Sequence, residues 1–230
     1  MLFRDEDEDD ELLPFENREE AGRILSTKLL AYSGRGDVIV LGLPRGGVPV
    51  AFEVARILKV PLDVLVVRKL GTPWQHELGM GAIAPGNVQV LDLSMVKQLC
   101  VSEDAIDQVA ASEWQELERQ QRLYHRDRLP HSLAGKTVIL VDDGIATGAC
   151  ILAGIASLRR QCAARVIVAV PVAPATGCSA IRMEADEVIS VAEPQMFFAV
   201  SQWYQDFSQV SDDQVCTLLE RSTRSMSRAA

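Results

Sequence analysis

The stretch VILVDDGIATGAC, residues 138–150, decides the reading of this chain. Val138 to Val141 form an apolar run of strand length that leads straight into Asp142 and Asp143. Gly144, Ala146, Thr147, Gly148 and Ala149 follow, all small or flexible, with Ile145 the one bulky residue among them. An apolar strand, a glycine-bearing turn and then a helix are the pattern of a parallel sheet, whose ligands sit at the carboxyl ends of its strands. Glycines and consecutive backbone N–H groups entering a helix make a concave anion site, and the Thr147 hydroxyl adds a donor. Two carboxylates in front of that nest would repel a phosphate. They make sense facing neutral vicinal hydroxyls or a metal ion. A sugar phosphate meets both demands, with its phosphate in the nest and its hydroxyls donating to Asp142 and Asp143.

The same apolar run recurs on either side. DVIVLGL (37–43), LDVLVVRK (62–69), RVIVAVP (165–171) and EVISVA (187–192) have strand length and composition, and VPVAFEVARIL (48–58) and ACILAGIASLRRQ (149–161) read as helices. A first helix is expected from Asn17, which pairs with Glu20 as a capping motif, to Gly34. The expectation is one α/β domain over 14–220: a central, mostly parallel sheet with helices on both faces. Two segments break the alternation. Residues 71–92 are glycine-rich and long for a connection, with Pro85-Gly86 suited to a type II turn between two short strands. Residues 94–130 are a helical insertion, mostly one helix from an N-cap at Ser102 to about Arg128. Its stripe of Ile106, Ala110, Trp114, Leu117 and Tyr124 is expected to pack onto the domain, or onto a second copy in a homodimer.

Composition excludes several classes. The net charge is −9, and part of it lies in DEDEDDE, 5–11. Residues 1–13 are read as a solvated acidic tail, and 221–230 as a surface helix fraying into a second tail. An acidic chain is a poor partner for nucleic acid. No apolar run is long enough to span a membrane and no signal peptide opens the chain, so the expected setting is the cytoplasm. The five cysteines are scattered, which fits reduced thiols better than disulfides or a zinc site.

VILVDDGIATGAC resembles the phosphoribosyl pyrophosphate (PRPP) motif of type I phosphoribosyltransferases: apolar strand, two acids, three variable residues, Thr-Gly, one residue, then Thr or Ser. LPRGGVPVA (43–51) resembles that family's pyrophosphate-binding loop, and VVRKLGTP (66–73) the Arg-Lys segment leading into its flexible catalytic loop. The three fall in family order, and the likeness covers roughly residues 15–215. It is closest to a group of uncharacterised bacterial phosphoribosyltransferase-like proteins. Two positions depart from the pattern. The closing Thr or Ser is Cys150, whose thiol is a weaker donor. Ala146 stands where 6-oxopurine enzymes carry an aspartate and adenine-type enzymes an alanine.

The resemblance implies a pentosyl transfer that moves the 5-phosphoribosyl group of PRPP to a nucleobase-like acceptor and displaces pyrophosphate from C1. PRPP would be held by Arg45, Gly46, Gly47 and the whole run Asp142, Asp143, Gly144, Ile145, Ala146, Thr147, Gly148, Ala149 and Cys150. Catalysis would fall to Asp142, Asp143, Arg68 and Lys69. Mg2+ would be carried by the diphosphate and the ribose hydroxyls, touching Asp142 and Asp143 directly or through water. A short-lived oxocarbenium needs a closing lid, for which 71–92 is the candidate, with His76 and Glu77 in it. The family's C-terminal hood, here about 193–215, would cover a small heterocyclic or amine acceptor, with Phe197, Phe198, Trp203 and Tyr204 available for stacking. The same residues are compatible with a PRPP-binding regulator without transferase activity, or with transfer to a non-base acceptor.

Overall fold

The computed structural model describes residues 14–126, 130–175 and 178–227, with the backbone alone at 76, 77, 226 and 227. The acidic run at 5–11 therefore lies outside the described residues. In chain order the elements are α1 (Arg18–Thr27), β1 (Val38–Gly42), α2 (Gly47–Leu58), β2 (Leu62–Val64), β3 (Arg68–Thr72), β4 (Gln75–Ala84), β5 (Val88–Leu91), α3 (Leu93–Gln98), α4 (Glu103–Tyr124), β6 (Thr137–Val141), α5 (Ala149–Arg160), β7 (Arg165–Val172), α6 (Ser179–Glu184), β8 (Glu187–Ala192) and α7 (Asp212–Ser227).

Five strands form a parallel sheet in the order β2-β1-β6-β7-β8. Alternation along each strand sorts the core into two layers. Val38, Val40, Ile139 and Val141 face Leu25 of α1 and Leu29 just beyond it, Val50 and Leu58 of α2, and Val215 and Leu219 of α7. Ile39, Leu41, Val138 and Leu140 face Ile151 and Ile155 of α5 and Ile181 of α6. Both faces of the centre are covered, so the middle strands β1 and β6 are buried at every position and apolar apart from Thr137.

The run 62–69 is not one strand. Val64 closes β2 in the parallel sheet, and Arg68 opens β3 in a second, antiparallel sheet of order β3-β4-β5. Leu65, Val66 and Val67 between them are as apolar and buried as a strand, so local pattern carries no sign of the break. Most of the expected lid, 71–92, is likewise ordered strand: Met80, Ala82, Ile83, Ala84 and Val88 are 0–2% exposed. The β3–β4 turn is exposed, with Trp74 61% exposed. His76 and Glu77 lie beside it, and their side chains fall outside the description. The Pro85-Gly86 turn forms as expected, with Gly86 at φ +82.

Ser102 caps α4, accepting from Ala105 N at 3.3 Å. The α4 stripe packs within its own chain: Ile106, Ala110, Leu117 and Tyr124 join the core, against β3, β4 and α7. Asn17 caps α1 as expected, accepting from Glu20 N at 2.9 Å, but α1 ends at Thr27 and a 3-10 turn carries the chain to Tyr32. The chain does not fray at 221. Helix α7 continues to Ser227, and Ser222 is buried. No helix among the described residues is long and apolar enough to cross a membrane.

Candidate active site

In the sheet, β1 leads outward to β2, while β6 leads the other way through β7 to β8. The carboxyl ends of β1 and β6 therefore flank the switch point, where an open α/β sheet leaves a crevice. Gly42 pairs with Val141, and Leu43 N donates to Val141 O at 2.9 Å. The turn 43–47 and the loop 142–148 thus start side by side, although a hundred residues separate them in sequence.

Their contact requires glycine. A Cβ on Gly46 would overlap the Asp143 carboxylate, and one on Gly47 would sit 2.8 Å from Val141 O and Asp142 Cα. With hydrogen in place of methyl, the first turn lies directly on the two acids. The loop 142–148 is pinned by Ile145, 1% exposed, whose N–H donates to Val172 O at 3.0 Å. Burying an isoleucine stabilises by about 1.5–3 kcal/mol, enough to hold a short loop against fraying. Gly148 takes φ +78 and would press a Cβ against Ile181 at 2.9 Å. It leads into α5, whose first turn has no side-chain cap. The first N–H groups of a helix have no intrahelical partner, so they remain available to an anion. Ala146 and Thr147 are exposed over that N-terminus.

The two acids differ. Asp142 Oδ1 accepts from Asp143 N at 2.9 Å, and burial, then the neighbouring Asp143, pushes its carboxyl well above the usual range. Burial also raises Asp143, but Arg18 pulls it back. Arg18 Nε donates to Asp143 Oδ2 at 2.8 Å, and the two side chains are only 11% and 14% exposed. The Tyr204 hydroxyl donates to Asp143 O at 2.6 Å.

The expected cations lie around these loops but not in one cluster. Arg45 is 40% exposed and stands 3.9 Å from Asp212 of α7. Arg68, at the start of β3, donates to Glu113 of α4 at 2.7 Å. Such partly exposed pairs are worth about 0–1 kcal/mol, so exchange for a diphosphate is cheap. Lys69 is exposed and close enough to Cys150, with Arg68, to act on its thiol. That thiol is pushed up to about 12 by burial, then by Asp142, with Lys69 and Arg68 pulling the other way. At pH 8 about one Cys150 in ten thousand is then thiolate. Iodoacetamide at that pH is expected to modify the exposed Cys100 and Cys162 and to spare Cys150, read by peptide mass spectrometry; equal labelling of Cys150 contradicts this.

The aromatic segment divides. Phe198 is 82% exposed, and Phe197 is half-buried. Tyr204 does not offer a free face as expected. It is 6% exposed, its ring centroid lies 5.5 Å from Phe15 and 5.0 Å from Phe207, and its hydroxyl is engaged. Trp203 packs into the same cluster. Val200 covers the loop at Gly144, where a Cβ would meet it at 2.6 Å. Arg18 and Phe15 were not singled out in sequence, where an arginine in a first helical turn and a lone aromatic carry no signal, whereas Phe207 belongs to the aromatic run 197–207 that the sequence does show.

Among the described residues, no three His, Cys, Asp or Glu side chains gather as a metal-holding group. Two carboxylates with no third ligand suit an ion such as Mg2+ that arrives on ligand oxygens and keeps its waters. A separate cavity of about 480 Å3, lined by Asp63, Val66, Pro85, His125, His131 and Leu133 among others, includes none of the loop residues 142–148.

A parallel sheet with paired acids and an uncapped helix N-terminus at its switch point defines an α/β protein whose crevice lies at the carboxyl ends of β1 and β6. The profile of the phosphoribosyl transferase domain matches residues 9–207, and the chain belongs to that family. Two Mycobacterium tuberculosis proteins (strains CDC 1551 / Oshkosh and ATCC 25618 / H37Rv), each named a Putative phosphoribosyl transferase, are 46% identical over 217 residues. That match covers 94% of this chain and 48% of each relative, so the chain spans about half their length. The crystal structure of TT1426 from Thermus thermophilus is similar with TM-score 0.75 at 37% identity, covering 91% of this chain and 99% of that one.

Proposed function

We propose that this chain transfers the 5-phosphoribosyl group of PRPP to a small heterocyclic or amine acceptor. The C1–O bond to pyrophosphate breaks and a C1–N bond to the acceptor forms. The observation that carries this reading is the seating of the Gly46-Gly47 turn directly against Asp142 and Asp143, beside the uncapped N-terminus of α5. It supports three subsites in a row: diphosphate on the turn with Arg45, ribose on the acids, and 5′-phosphate on the N–H groups of 144–150. In this reading Asp142 and Asp143 accept from the ribose hydroxyls and hold C1 in place. Arg45 and Arg68 leave their weak pairs and, with Lys69, stabilise charge growing on the leaving pyrophosphate, the kind of electrostatic term that dominates many active sites. Mg2+, when bound, supplies further positive charge to the diphosphate. The β3–β4 turn around Trp74 is the part free to close, and Phe197 and Phe198 are the aromatics free to stack on an acceptor.

The test is PRPP consumption with Mg2+ against a broad panel of bases and amines, run beside calorimetric PRPP binding. Hypoxanthine and guanine are expected to give negligible turnover, because Ala146 supplies no carboxylate to handle the purine proton and both nearby acids serve the ribose. Either purine emerging as the best acceptor contradicts this. Tight PRPP binding with every acceptor silent favours a PRPP-binding regulator instead, and no PRPP binding removes the proposal.

A further inference from the structure

The contacts of Arg18 go beyond an ion pair. Its Nε donates to Asp143 Oδ2 at 2.8 Å, its Nη1 donates to Ser208 O at 2.8 Å, and its guanidinium lies 3.9 Å from the Phe207 ring centroid. Nε is also 3.4 Å from where a Gly46 Cβ would stand. Arg18 thus touches the acid loop, borders the glycine turn, and is braced from behind by the segment 203–208. That segment is bonded to the residues just before α1: Phe15 N donates to Trp203 O at 2.9 Å, Gln205 N to Phe15 O at 2.8 Å and Asp206 N to Glu16 O at 2.9 Å. Tyr204 in the same segment holds the Asp143 carbonyl.

We infer that Arg18 is the residue that positions Asp143 for the ribose, so that the start of the folded chain and the 203–208 segment complete the sugar subsite. This inference rests on the proposed PRPP reading. The physical reason is directional. A lone carboxylate beside a second one turns away from it. Here one oxygen of Asp143 is fixed by a planar donor whose own plane is locked by ring stacking and a second hydrogen bond, which leaves Oδ1 for a ligand hydroxyl. Arg18 is nearly buried, so it acts through Asp143 rather than on the ligand. Lysine cannot reproduce this, because an ammonium on a flexible stem supplies charge without the fork or the stacking plane.

Subsite selectivity separates this role from general support of the fold. Arg18→Met and Arg18→Lys are compared with the unaltered chain by calorimetry against two probes with Mg2+: ribose 5-phosphate, which has the vicinal hydroxyls, and inorganic pyrophosphate, which does not. The expected result is a loss of at least tenfold for ribose 5-phosphate in Arg18→Met, a smaller loss in Arg18→Lys, and pyrophosphate affinity within threefold of the unaltered chain in both. Equal loss for the two probes, or unchanged ribose 5-phosphate affinity in Arg18→Met, overturns the inference. If Arg18→Met does not fold, Arg18→Lys decides by the same selectivity. Failure of the unaltered chain to bind PRPP and either probe overturns the functional reading and this one with it, whereas binding that Arg18→Met leaves intact overturns this one alone.

Discussion

Asp143→Asn is expected to weaken PRPP binding at least tenfold, about 1.4 kcal/mol, while the melting temperature stays near that of the unaltered chain. Two stability effects oppose each other in this variant. The buried pair with Arg18 at 2.8 Å loses its charge, and unpairing a buried arginine is costly. Yet burial already raises the Asp143 carboxyl, so removing that charge relieves desolvation and repulsion from Asp142. The asparagine carbonyl can still accept from Arg18, whose stacking on Phe207 and bond to Ser208 O persist. Binding has no such offset. An amide accepts a hydroxyl proton less strongly than a carboxylate, and hydrogen bonds to charged groups are worth about 1.5–3 kcal/mol. Calorimetry with PRPP and Mg2+ on the folded variant checks it, and unchanged affinity together with unchanged turnover removes the central role given to Asp143.

Gly47→Ala should damage both fold and site. Its methyl would meet Val141 O and Asp142 Cα at 2.8 Å, and these are backbone atoms of a fully buried strand end that cannot rotate aside. Overpacking of this kind costs about 1–3 kcal/mol, or roughly 2–12 °C in melting temperature for a domain of this size. Relief comes by parting the turn from the acids, so PRPP affinity should fall with stability. Gly36→Ala serves as control: its Cβ meets nothing within 4 Å and it precedes β1, at the opposite end of that strand from the turn 43–47, so it should melt as the unaltered chain does. A Gly47→Ala protein with unaltered melting and unaltered affinity shows that the two loops are not held against each other as described.

Much of the architecture was legible because it is written in local periodicity. The five runs expected as parallel strands all contribute to the sheet, since an apolar stretch buried on both faces has few other places to go. The loop 142–148 was equally plain: acids, glycines and Thr147 lie within seven residues, and their grouping is covalent. The split of 62–69 into β2 and β3 was not, because the choice between two sheets depends on partners rather than on the run itself. Likewise, glycine richness in 71–92 suggested a lid, whereas Gly79 and Gly81 are sites of close approach inside β4: a Cβ on Gly81 would strike Val90 O, and one on Gly79 would meet the Lys69 side chain at 2.7 Å.

By itself the sequence located the two loops and their residue types: paired acids at a strand end, a glycine turn after another strand, and a helix following the acids. Those features need only neighbours along the chain. Tertiary structure alone decided how the acids are held and which aromatics are free. Arg18 meets Asp143 across 125 residues, and Tyr204 turns from an expected stacking partner into a buried donor because Phe15 and Phe207 close on its ring. Contacts at that separation leave no periodic trace, since they are set by the twist and packing of a whole sheet bringing distant segments to one edge.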